Sequence, residues 1–152
     1  MAGRHLARRV ALDILFQADL TGRDPLGVLD EWQAAGEDVP EFARELVTGV
    51  SADRDELDRV LGEHADDWSV ERMAAVDRAI LRLAAYEMRS RRDVPIAVAI
   101  DEAVEAAKEL STDESGRFVN GILGRIARER EDVAGNQSDG SSGDSAVGDS
   151  GR

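Results

Sequence analysis

Three arginines open the chain and nothing acidic accompanies them. Residues 1–12 carry Arg4, Arg8 and Arg9 with His5, and no Asp or Glu. Arg4 and Arg8 are one helical turn apart and share a face, with Arg9 offset by one step. Guanidinium groups pair bidentately with phosphate and stack on bases, whereas the macrodipole disfavours cations at a helix start. An uncompensated arginine cluster there calls for an anionic partner. A second group lies far along the chain, in Asp113-Glu114-Ser115-Gly116-Arg117-Phe118-Val119-Asn120-Gly121. It offers a hydroxyl, a guanidinium, an aromatic ring and an amide at the junction of a loop and a helix. Single-stranded RNA is read by such a set, through stacking on aromatics and hydrogen bonds to base edges. Composition alone also allows Phe118 to be a core residue.

Other chemistries find no support in the residue types. There is no cysteine, so thiolate catalysis, disulfides and Cys-ligated metal are excluded. The two histidines, His5 and His64, fall in different helical segments and suggest no metal site. No strand precedes a Gly-rich turn, Ser111 and Ser115 have no neighbouring histidine to act as base, and with 32 acids a coincidental carboxylate pair means little. A non-enzymatic chain without cofactor or metal is expected.

The elements that must position the two groups are helical. Ala7, Ala11, Ile14, Leu15 and Ala18 form an apolar stripe over residues 4–20. Gly22 suits a left-handed cap, and Asp24-Pro25 reads as an N-cap with proline at the first helical position. Leu26, Leu29 and Trp32 mark a second helix closed by Gly36. Pro40 opens a third, a fourth is expected from Ser51–Asp53, and Ser69 is expected to cap a fifth. Pro95 starts a sixth, and Phe118, Ile122, Leu123 and Ile126 mark a seventh. The fold class is all-α, about seven helices, with short connections implying antiparallel neighbours. Residues 1–132 are assigned to the folded domain. Residues 133–152, rich in Gly, Ser and Asp, are assigned to a disordered tail, because they bury too little apolar surface to offset ordering entropy. Neither a membrane span nor a signal peptide is evident, and a cytoplasmic location is expected.

Charge is distributed unevenly. The net charge is −13, and residues 30–80 hold fifteen acids against five arginines. A basic end and an acidic middle suggest one anionic and one basic partner.

Several stretches carry a family resemblance. They are Asp77-Arg78-Ala79-Ile80-Leu81-Arg82-Leu83-Ala84-Ala85-Tyr86-Glu87-Met88, then Asp93-Val94-Pro95, Ala99-Ile100-Asp101-Glu102-Ala103-Val104, Ala107-Lys108, and Arg117-Phe118-Val119-Asn120-Gly121-Ile122-Leu123. Together with the N-terminal arginines leading into Ala11-Leu12 and Leu15-Phe16, they resemble the NusB family of transcription antitermination factors over about residues 4–130. The resemblance implies two packed helical bundles. It also implies binding of the boxA RNA of ribosomal RNA operon leaders together with ribosomal protein S10, and read-through by the RNA polymerase elongation complex. On it, the RNA-binding residues are Arg4, Arg8, Arg9, Phe16, Ser115, Arg117 and Phe118, and Asp77 lies on the side that meets ribosomal protein S10. Phe16 occupies a usually tyrosine position, and His5 and Leu6 stand where members are frequently basic. Some members self-associate. The alternatives are a helical protein-interaction module or homodimer without direct RNA binding, and a helper domain for an RNA-modifying enzyme.

Overall fold

A computed structural model describes residues 2–66 and 68–143. Six α-helices and one 3-10 turn account for its regular structure: α1 (Ala2–Thr21), α2 (Pro25–Ala34), α3 (Glu41–His64), the turn Val70–Arg72, α4 (Ala75–Ser90), α5 (Ile96–Leu110) and α6 (Asp113–Gly143). No strand occurs among the described residues, and no described helix is long and apolar enough to cross a membrane.

The α4 helix is the axis of the molecule. It packs against α1 and α3 on one side and against α5 and α6 on the other, so the two bundles share it. Its sequence explains this position, because Ala79, Ile80, Leu81, Leu83, Ala84, Ala85 and Met88 are buried around nearly its whole circumference, as expected of a helix enclosed on all sides. Two of its buried charges are matched by opposite charges. Arg82 makes a two-pronged contact with Asp58 of α3 at 2.8 and 2.9 Å, and Glu87 receives Arg8 of α1. Such pairing is what permits ionised groups at these depths.

Local signals set the helix ends. Gly22 and Gly36 adopt left-handed backbone (φ +67° and +84°) after α1 and α2, a conformation that glycine enters without steric penalty. The Asp24 side chain accepts from the Leu26 amide, with Pro25 opening α2.

Two expectations are corrected. The third and fourth predicted helices are one: α3 runs unbroken through Ser51–Asp53, since Leu46, Val50, Leu57 and Leu61 form a single buried stripe in phase. Ser69 makes no side-chain cap; it precedes the 3-10 turn, whose first residue Val70 is buried together with Met73 just after it, and α4 begins only at Ala75. At the other end, α6 continues to Gly143, into the segment assigned to the tail. Residues 144–152 of that segment lie outside the described residues.

Candidate nucleic-acid interface

The N-terminal arginines project from α1 onto the α4–α5 side of the molecule, and each meets a carboxylate there. Arg4 donates to Asp93 Oδ2 at 2.7 Å and lies over the Phe42 ring, 4.4 Å from its centroid. Arg91 approaches the same ring at 5.2 Å, so Phe42 holds guanidinium planes through cation–π attraction. His5 Nδ1 is 2.8 Å from Glu102 Oε2. Arg9 forms an ion pair with Glu109.

Arg8 differs in kind. Its side chain is only 8% exposed and its Nε donates to both oxygens of Glu87, at 2.8 and 3.1 Å. The periodicity that placed Arg4 and Arg8 on one face is correct, since both approach Phe42, but Arg8 is enclosed at the α1–α4 junction whereas Arg4 stays half-exposed. Arg8 therefore ties α1 to α4.

The second group forms at the start of α6. Thr112 caps the helix by accepting from the Ser115 amide at 3.0 Å. Ser115 Oγ lies 3.0 Å from Ser111 Oγ and donates to Asp77 Oδ2 at 3.2 Å. Arg117 is exposed. Phe118 is half-buried and packs against the core, so one part of its ring is committed to packing while another faces outward.

Asp77 is enclosed, at 7% exposure, and its Oδ1 has no hydrogen-bond partner among the described residues. Burial raises its pKa above the ordinary aspartate value, with the Ser115 hydrogen bond opposing that rise. Instead of standing on the surface, Asp77 fixes the Ser115 hydroxyl from beneath.

Phe16 sits elsewhere on α1. It lines an apolar cleft of about 400 Å³ with Leu12, Leu20, Val76 and Leu110. Leu20 and Leu110 are exposed.

The two sequence-distant groups become neighbours through the last turn of α5. Glu109 reaches Arg9, Leu110 reaches the Phe16 cleft, and Lys108 lies over Gly116. Arg4 and Arg8 stand further along α1, toward Phe42. The charge pattern of the first twelve residues located one side of this surface. The carboxylates opposite it, Glu87, Asp93, Glu102 and Glu109, left no comparable signal in so acidic a chain, nor did Phe42.

The geometry is a shallow, mixed-charge surface with aromatic rings at its edges, and no cluster of metal-ligating side chains occurs among the described residues. Such a surface is suited to binding a polyanion. Known proteins resemble the chain closely. The NusB family model matches residues 5–128. The transcription antitermination protein NusB of Saccharopolyspora erythraea is 53% identical over 131 residues, covering 84% of this chain and 88% of that protein. Among solved structures, T. maritima NusB superposes with a TM-score of 0.75 at 39% identity, covering 83% of this chain and 91% of that one. The antitermination factors NusB and NusE in complex with double-stranded RNA give a TM-score of 0.74 at 26% identity, covering 85% of this chain and 98% of that one. By its family match and by its fold, this chain belongs to the NusB family.

Proposed function

We propose that this chain is a transcription antitermination factor that binds boxA RNA of ribosomal RNA operon leaders together with ribosomal protein S10, and so promotes read-through by the RNA polymerase elongation complex. The observation that carries the reading is that the last turn of α5 touches both segments: Glu109 pairs with Arg9 of α1, and the Lys108 stem lies on Gly116 in the first turn of α6, next in sequence to Ser115. One helical turn thus links the arginine-bearing helix to the segment that holds Ser115, Arg117 and Phe118. The likeness to a NusB–NusE–RNA complex supports the same reading. Arg4, half-exposed over Phe42, extends the surface along α1.

The remaining charge sorts the partners. A chain of net charge −13 repels RNA everywhere except at its cationic patches and attracts a basic ribosomal protein. The buried Asp77 acts on either partner through Ser115. Binding without covalent chemistry is the mode this surface supports.

The test is the mobility of a labelled boxA RNA with this chain, with and without ribosomal protein S10, against a scrambled RNA of equal length. A shift that requires boxA, strengthens with ribosomal protein S10 and weakens steeply with salt is expected. Equal binding of both RNAs, or no shift at low salt, sinks the reading.

The second reading, a protein-interaction module or homodimer, is favoured by one feature. The Phe16 cleft is apolar and flanked by exposed Leu20 and Leu110, a surface of the kind used between proteins. Sedimentation of the chain alone and with ribosomal protein S10 distinguishes self-association from a mixed complex.

A further inference from the structure

The last turn of α5 carries two adjacent residues of opposite charge, and each touches one half of the surface described above. Lys108 is the only lysine of the chain. Its aliphatic stem lies flat on the first turn of α6: a Cβ added at Gly116 would sit 2.7 Å from Lys108 Cγ and 3.1 Å from Cε. Glycine at 116 is therefore what lets the stem approach, and the approach holds the Lys108 side chain against the first turn of α6. Lys108 is exposed. Among the described residues it has no carboxylate partner, although the chain holds 32 acids and Arg4, Arg8 and Arg9 each have one. Arg117, on the other side of Gly116, is likewise exposed and without an ion pair among the described residues.

Glu109 does the opposite. Its side chain is 54% exposed, and it occupies the guanidinium of Arg9, itself 22% exposed. A carboxylate presents to a guanidinium the same pair of oxygens that a phosphate does. An exposed ion pair of this kind holds weakly, because water competes for both charges. A phosphodiester that also releases counterions on binding can displace it.

We propose that the C-terminal turn of α5 is a third element of the RNA surface, in which Lys108 contacts a phosphate and Glu109 stands in the place of a phosphate on Arg9 until RNA replaces it. The proposal rests on the RNA-binding reading above. It divides the cations into two sets. Lys108 and Arg117 are free to meet RNA at once, whereas Arg9 joins only by giving up Glu109. The net strength of the surface is then set by an acid as much as by its bases.

The experiment is fluorescence anisotropy of a labelled boxA RNA titrated with the full chain in the presence of ribosomal protein S10, repeated over a range of salt. Lys108→Gln is expected to weaken binding roughly threefold to tenfold and to flatten the salt slope by about 0.7, one released counterion on a single strand. Glu109→Gln is expected to strengthen binding roughly threefold. Both side chains are exposed, so melting temperatures stay unchanged. Two further variants exclude a general charge effect. Arg54→Gln removes an exposed arginine that lines a cavity with Gly22 and Asp24 at the other end of α1, and it leaves binding near wild type. Arg9→Gln combined with Glu109→Gln shows no gain over Arg9→Gln alone, since the acid has nothing left to occupy. If RNA binds but Lys108→Gln matches Arg54→Gln, or the gain from Glu109→Gln survives without Arg9, this proposal is overturned while RNA binding stands. If the wild-type chain binds no boxA RNA, both fall.

Discussion

Arg8 Nε sits 2.8 Å from Glu87 Oε1, and the two side chains are 8% and 2% exposed. An ion pair this enclosed is a structural joint, here between α1 and α4. Removing one partner strands the other charge in a low-dielectric interior, which costs about 3–5 kcal/mol. Arg8→Ala is therefore expected to lose that much in urea unfolding. Replacing both residues, Arg8→Met with Glu87→Leu, recovers most of it, because neither charge then needs a partner. The double variant should also retain RNA affinity. A folded double variant that no longer binds RNA would return Arg8 to the contact surface.

A second joint depends on the absence of a side chain. A Cβ at Gly49 would lie 2.1 Å from Tyr86 Cζ and 2.3 Å from its hydroxyl oxygen. Alanine normally improves a helix interior by about 1 kcal/mol over glycine. Here the ring of Tyr86 must move, and overpacking of this kind costs about 1–3 kcal/mol. Because Tyr86 is half-buried and can swing partly outward, Gly49→Ala is expected near the lower end of that range. In a Tyr86→Leu background the sign should reverse, and Gly49→Ala should raise the melting temperature. Parallel losses in both backgrounds would show that the ring is not the obstacle.

These joints mark the boundary of what could be read from sequence. Helix ends were legible because their signals are local: Gly22, Asp24-Pro25 and Gly36 act within a few residues of themselves. The continuity of α3 was also present, in the in-phase stripe Leu46, Val50, Leu57 and Leu61, but the capping residues Ser51 and Asp53 concealed it. The arginine cluster was legible as charge, while the state of each arginine was not. Their partners Glu87, Asp93 and Glu109 lie 79, 89 and 100 positions away. In a chain with 32 acids, nothing in the sequence distinguishes those three. The same limit applies to Asp77, whose burial follows from the packing of α6 on α4 and not from its neighbours in sequence.

Phe118 divides its ring between packing and exposure. Phe118→Ala is expected to cost about 2 kcal/mol, below the roughly 3–5 kcal/mol of a fully enclosed phenylalanine, and to weaken RNA binding. Phe118→Leu separates the two roles. It fills the packed side, so the melting temperature stays close to wild type, but it offers no stacking face, so RNA affinity falls as far as in the alanine variant. If leucine restores binding, the ring serves packing alone.

Asp77 makes stability depend on acid pH in an uncommon direction. Burial raises its folded-state pKa above the ordinary value of 3.8, against the opposing Ser115 hydrogen bond. The folded state thus holds this proton more tightly than the unfolded chain does. The resulting stability is complete below the unfolded value and is lost as pH rises through the folded one. Asp77→Asn removes that loss and is expected to raise the melting temperature at neutral pH, with the Ser115 hydroxyl now accepting from the new amide. A lower melting temperature would mean that the ionised carboxylate has a favourable partner in solution.

His64 sets a second pH dependence, at the junction of α3 and α6. Its Nδ1 lies 2.8 Å from the Val60 carbonyl, and its Nε2 contacts the Glu129 carboxylate. With both ring nitrogens facing acceptors, the geometry suits the imidazolium, in which both donate. Burial alone would lower its pKa, but the Val60 carbonyl and the carboxylates of Glu129 and Glu63 outweigh it and raise the value above 6.5. A raised histidine contributes stability that is fully present below the unfolded pKa and is lost as pH rises through the folded one. Wild-type stability to urea is therefore expected to fall as pH rises from about 6 to above the folded value. His64→Gln should be less stable at the acid end and flat across the same interval. Glu129→Gln should keep a weaker slope, since the Val60 carbonyl remains. Wild type and His64→Gln falling in parallel would assign the dependence to another group and leave the α3–α6 junction insensitive to pH.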